Sequence, residues 1–108
     1  MQLIDDRIHF EHVPAAAIAD AYGTPTYVYE ETRIRDNFRR ALQAFQRHYE
    51  DFRFFYAIKA SNNPAIARIL KDEGAGIDAA SVNEILLARE IGLGGEDVMF
   101  SGNFLSDE

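Results

Sequence analysis

The sequence has no cysteine. That excludes a disulfide framework and a thiolate metal site. Positive charge is scarce: Lys and Arg total 11 against 18 Asp and Glu, for a formal net charge of -7. An acidic chain without a basic cluster argues against nucleic acid and anionic membranes as partners. No uninterrupted apolar stretch approaches the ~20 residues of a membrane span. The opening, MQLIDDRIHF, carries acids where a signal peptide carries bases and lacks its apolar core, so a cytoplasmic protein is expected. Dinucleotide fingerprints, P-loops and G-x-S-x-G elbows are absent. His9 and His12 fall in a weakly patterned segment and His48 in the polar tail of an expected helix. Solvated roles are expected for all three, with no metal site.

What is present is globular. The 108 residues are 47% hydrophobic, enough for one modest core burying roughly two-thirds of the unfolded surface. The most informative stretch is Phe52 to Asn63, FRFFYAIKASNN. Its apolar run from Phe54 to Ile58 suits a strand buried on both faces, as in a parallel sheet. Lys59 follows directly, and then Ser61, Asn62, Asn63 and Pro64 signal a turn into a helix. A lysine at the C-terminal end of a buried strand sits where barrel enzymes keep their chemistry.

The chain in order gives an alternation. Residues 1–13 hint at a short extended piece around His9, Phe10 and Val13. Pro14 opens a helix that Gly23 stops, and Thr26 to Tyr29 reads as a short β-rich strand. Ile34, Phe38, Leu42, Phe45 and Tyr49 mark one face of a helix over 31–49, with the arginines on a solvated side. A strand over 53–58 follows. A helix over 64–73 is capped by Asn63, and a strand runs over 76–80. The S-x-x-E box of Ser81 and Glu84 opens a helix over 82–91, whose apolar positions are numerous enough to predict packing on most sides. A strand over 97–100 comes last, and Ser106-Asp107-Glu108 has the form of another helix start. Such alternation means right-handed βαβ units and a parallel sheet. Three strands make a small sheet with an open edge, so the chain reads as the front portion of a larger α/β barrel or doubly wound domain.

Several side chains are candidates for chemistry. An amine attacks a carbonyl only in its neutral form, and an enclosed barrel mouth favours that form. Lys59 therefore suits a Schiff base. The bland alternative is a lysine that snorkels to the rim and makes a surface ion pair. Asp78, inside the second strand, could accept a hydrogen bond from an amine or hydroxyl at the barrel mouth, or be satisfied structurally by backbone N–H groups or by Lys59. Glu84 is first a helix cap. Ser101 and Asn103 follow the third strand, and a loop-forming turn accounts for them equally well.

Tyr56-Ala57-Ile58-Lys59-Ala60 resembles the YA[VI]KA signature of the pyridoxal-phosphate decarboxylases with an alanine-racemase-like barrel, the ornithine, diaminopimelate and arginine decarboxylase family. Tyr22 to Tyr29 with the Arg-rich helix after it, Gly76 to Ser81 with Glu84-Ile85, and Val98 to Asn103 with Ser106-Asp107-Glu108 resemble further segments of that family, in order. The resemblance implies that Lys59 holds pyridoxal 5'-phosphate, with Asp78 beside the cofactor and Ala57 packed near it. It implies an α/β fold, the first βα units of a truncated (β/α)8 barrel, with a barrel part over 31–108 and an N-terminal segment over 1–30 whose strand at Tyr27–Tyr29 joins a C-terminal β-domain. It also implies that the enzyme is a homodimer with shared active sites. The family commonly has asparagine where this chain has Ser61, and often a glycine near Val82 and Asn83. Its glycine-rich phosphate loop and the acidic partner of the pyridine nitrogen would fall beyond Glu108, so these residues are expected to be an N-terminal fragment without activity alone. The implied reaction is decarboxylation of an amino acid. Meso-diaminopimelate, giving L-lysine and carbon dioxide, is the first expectation and ornithine or arginine the second. A cofactor-free Schiff-base aldolase and a non-catalytic packing piece remain as alternatives from other classes.

Overall fold

A computed structural model describes residues 1–103. The expected helix start at Ser106–Glu108 lies outside the described residues. The chain divides into two compact units, Met1–Arg33 and Ile34–Glu108.

The first unit is a small antiparallel sheet and a helix. Strands β1 (Gln2–Ile4), β2 (Arg7–Phe10) and β3 (Val13–Pro14) pair in that order. Ile4 pairs with Arg7, so Asp5 and Asp6 form a two-residue hairpin loop, both at positive φ (49° and 58°). That is the geometry of a type I′ turn, and aspartate is among the few non-glycine residues that tolerate it. Helix α1 (Ala15–Tyr22) follows, with Pro14 as its N-cap rather than its first residue. Gly23, at φ 79°, ends it by donating its N–H to the Ala19 carbonyl at 2.8 Å. The strand expected over Thr26 to Tyr29 is not formed among the described residues. β-propensity needs a neighbouring strand to act on, and here Tyr27 and Tyr29 stand exposed.

The second unit is the α/β part. Helix α2 (Glu31–Gln46) leads into it and stops before Tyr49, which is exposed. Strands β4 (Phe55–Ala57), β5 (Gly76–Ala79) and β6 (Val98–Phe100) form a parallel sheet in that order. Helices α3 (Pro64–Asp72) and α4 (Val82–Glu90) are the crossovers. The expected alternation is therefore found, with shorter strands.

Register explains where the core sits. Ile77 lies between Tyr56 and Val98 across the sheet, and residues side by side on parallel strands share a face. Ile77 and Ala79 pack with Ile58, Ala67 of α3, Ala88 of α4, Ile91 and Leu93 in one buried cluster. Ile58 and Ile77 are fully buried, which stabilises by about 1.5–3 kcal/mol each. Ile66, Leu70 and Ala75 form a second cluster that receives Ile34 and Phe38 from α2. Phe45 stacks on Phe52 with centroids 4.5 Å apart, and Phe54 meets both edge-on, which fastens the end of α2 to the approach to β4.

Two expectations about surfaces are corrected. Helix α4 is not packed on most sides: Val82 and Leu86 are exposed, and Ala88 is its buried residue. The arginine face of α2 is not wholly solvated either. Arg35 and Arg39 are one helical turn apart, so they reach the same point. Arg39 grips the Glu73 carboxylate with two bonds of 2.6 and 2.7 Å, and Arg35 adds one at 2.8 Å. The Glu73 side chain is 8% exposed. Hydrogen bonds from Arg39 and then Arg35 hold its carboxyl below the usual range, against the opposing effect of burial.

Candidate active site

The C-terminal edge of the parallel sheet gathers the candidate residues. Strand β4 ends at Ala57, and Ile58–Ala60 forms a single 3-10 turn that carries Lys59. Lys59 is thus two residues past the end of the strand, inside a turn, rather than the strand's next residue. Three anchors fix that turn. Ile58 is fully buried in the core. The Tyr56 hydroxyl reaches across the turn to donate to the Ser61 carbonyl at 3.0 Å. The Asn63 side chain then accepts from the Ala65 N–H at 2.9 Å, starting α3. Lys59 is exposed, so the enclosure expected from the sequence is not made by the described residues.

The sequence contains two lysines, Lys59 and Lys71. Lys71 donates its ammonium to the Ile91 carbonyl at 2.7 Å, an orphan acceptor at the end of α4. Its amine is committed to structure. Lys59 makes no hydrogen bond or ion pair among the described residues.

Asp78 lies beside Ala57 on one flank and Met99 on the other, on the sheet face opposite Ile77 and Ala79. Ala57 and Asp78 are half-buried and Met99 is exposed. The Asp78 carboxylate accepts from the Ser101 hydroxyl at 2.5 Å. In the sequence Asp78 and Ser101 are separate candidates. Their pairing requires the β5–β6 register, which no local signal states.

Glu84 behaves as a cap with a shifted target. The Ser81 hydroxyl accepts from the Glu84 N–H at 3.3 Å, as expected. The Glu84 carboxylate, however, accepts from the Ala80 N–H at 2.6 Å, one residue before the usual capping-box partner. It thereby secures the end of β5 next to Asp78. Asn103 is exposed. Gly102 is required sterically: a Cβ there would overlap the Phe100 ring and come within 2.9 Å of the Ala80 carbonyl oxygen.

An amine with no partner among the described residues, a carboxylate with one oxygen engaged and a small residue paired beside that carboxylate suit a carbonyl-bearing ligand that condenses with lysine. The class this arrangement fits is that of the βα barrels, which carry their functional side chains at the C-terminal ends of the strands.

Residues 34–108 match the family of the pyridoxal-dependent decarboxylases, pyridoxal binding domain, and the chain belongs to that family. The diaminopimelate decarboxylase of Methanothermobacter thermautotrophicus is 47% identical over 94 residues, 87% of this chain and 22% of that protein. The diaminopimelate decarboxylase of Methanocaldococcus jannaschii is 33% identical over 112 residues, the whole of this chain and 26% of that protein. A crystal structure of diaminopimelate decarboxylase from M. jannaschii with L-lysine superposes with a TM-score of 0.88 at 34% identity, over 95% of this chain and 25% of that one. This chain thus spans about a quarter of the length of the curated relatives it matches. Its three parallel strands and their helices are βα units of a pyridoxal-binding barrel of the alanine-racemase type.

Proposed function

We propose that these residues supply the lysine-bearing part of a pyridoxal-phosphate-dependent decarboxylase that converts meso-diaminopimelate to L-lysine and carbon dioxide. The observation that carries this is Lys59. Its amine, unlike that of Lys71, is unengaged among the described residues, and it sits in the YAIKA turn at the C-terminal edge of the sheet. The relatives' names, and the L-lysine in the M. jannaschii structure, support diaminopimelate as the substrate.

In this assignment Lys59 holds the cofactor through its amine, Ala57 leaves room beside it and Asp78 offers its second carboxylate oxygen to a donor. Bound pyridoxal phosphate supplies an electron sink for the pair left when the carboxylate departs as carbon dioxide. Lys59 would be the group that holds a proton for the α-carbon. Tyr56 and Asn63 fix the turn on which that amine stands.

The N-terminal segment, residues 1–30, is assigned to packing against a C-terminal β-domain. The unpaired stretch at Tyr27 and Tyr29 and a cavity of about 510 Å3 beside it, lined in part by Phe10, Ile18 and Tyr22, support that. A homodimer with shared active sites and a cytoplasmic location belong to the same assignment. No described helix is long and apolar enough to cross a membrane.

The test is chemical trapping. The protein at full length is incubated with pyridoxal phosphate, reduced with borohydride, digested and mapped. The label is expected on Lys59, with carbon dioxide released from meso-diaminopimelate before reduction and not after. A label on Lys71 or an uncoloured protein sinks the assignment, and turnover without pyridoxal phosphate favours the aldolase chemistry.

A further inference from the structure

We propose that Ser101 is a positioning residue that aims the Asp78 carboxylate, an inference resting on the lysine-bound cofactor assigned above. The hydroxyl donates to Asp78 Oδ1 at 2.5 Å. A hydroxyl on an exposed loop ordinarily rotates freely, but this one stands on fixed backbone. The Ser101 N–H donates to the Ala79 carbonyl at 2.8 Å, which extends the β5–β6 ladder one residue beyond β6. Ser101 therefore attaches to two consecutive residues of β5, by its N–H to Ala79 and by its hydroxyl to Asp78. On either side the backbone is confined. Gly102 lies against the Ala80 carbonyl where no Cβ fits, and the Glu84 carboxylate holds the Ala80 N–H at 2.6 Å.

The carboxylate gains a defined direction from this. An aspartate side chain on a half-open sheet face has more than one rotamer available. The bond to Ser101 selects one of them and engages Oδ1. Oδ2 has no hydrogen bond among the described residues and keeps its lone pairs for a donor on the ligand, a hydroxyl or an ammonium. The serine acts through Asp78, to which its hydroxyl proton is committed.

Three variants of the full-length holoenzyme test this: Ser101→Ala, Ser101→Thr and Asp78→Ala, together with the double variant Ser101→Ala/Asp78→Ala. The Ser101 N–H bond to Ala79 does not depend on either side chain, so each variant should still fold with a cooperative melt. Ser101→Ala is expected to speed the loss of pyridoxal phosphate on dialysis by about tenfold, the scale of one hydrogen bond to a charged group, and to shift the cofactor's visible band. Ser101→Thr should restore both, because it returns the hydroxyl. In the Asp78→Ala background, Ser101→Ala should change nothing further, since groups that act through one another are non-additive. Full additivity, or an Ala variant that retains cofactor like the wild type, overturns the positioning role while leaving Lys59 trapping intact. Failure to trap cofactor on Lys59 in the wild type is a different result, independent of residue 101, and removes the site assignment and this inference together.

Discussion

The two ends of the parallel sheet are built on opposite principles. At its N-terminal end the side chains answer one another. Arg53 donates to Asp97 at 2.7 Å and to the Gly74 carbonyl at 3.4 Å, and its guanidinium lies 5.2 Å over the Phe55 ring. The same ring fills the space that Gly76 leaves empty, so closely that a Cβ on Gly76 would approach it to 2.5 Å. At the C-terminal end valences are left open. The Lys59 amine has no partner among the described residues, and Asp78 has one oxygen taken and one available. Saturated groups at the one end hold the strands in register; unsaturated groups at the other are what a ligand can engage. This is the division of labour of βα barrels, with chemistry at the strands' C-terminal ends and stability at the other.

The sharpest way to break the comparison is to exchange its effects. Lys59→Ala should abolish borohydride-trappable cofactor and lower turnover by orders of magnitude in the full-length enzyme, with the melting temperature nearly unchanged. A large loss of stability would show that the amine is structural. At the other end Gly76→Ala should destabilise by about 1–3 kcal/mol, because the added methyl meets Phe55 and, at 2.9 Å, the Asp97 carbonyl oxygen, and overpacking costs that much. Denaturant melts measure it. Once folded, the variant should still be labelled on Lys59.

Smaller effects test the groups that brace the sheet. The carboxyl of Glu73 is held low by Arg39 and Arg35. A carboxylate whose folded-state value is depressed contributes stability that is present above its unfolded value and is lost as pH falls through the folded one. Acid titration of the melting temperature should therefore show a steeper fall for the wild type than for Glu73→Gln, with the two lines converging at the acid end. Parallel lines would mean that the clamp contributes nothing. Smallest of all is Glu84→Gln, since glutamine also caps at that position. It should cost no more than about 0.5 kcal/mol, by analogy with exchanges among good caps, and leave cofactor trapping unaltered. A collapse in rate without a change in stability would make Glu84 part of the chemistry.

What the sequence by itself determined lies in local patterns. Alternating helical and apolar periods, the caps at Asn63 and Ser81 and the stop at Gly23 are written within a few residues, and short-range hydrogen bonds carry them out. The YAIKA segment, with three further motifs in order, carries the resemblance to the family within the sequence itself. The tertiary structure alone decided the rest, because each remaining feature joins residues far apart in the chain. The hairpin of Met1–Pro14 depends on two aspartates adopting positive φ between strands too short to show a period. Thr26 to Tyr29 has strand composition but no partner among the described residues, and propensity cannot supply one. The Arg35–Arg39–Glu73 clamp spans more than thirty residues. Asp78 and Ser101 stand 23 apart and meet only because β5 and β6 run parallel in one register. Pairing across a sheet depends on which strands become neighbours, and packing of the whole sets that.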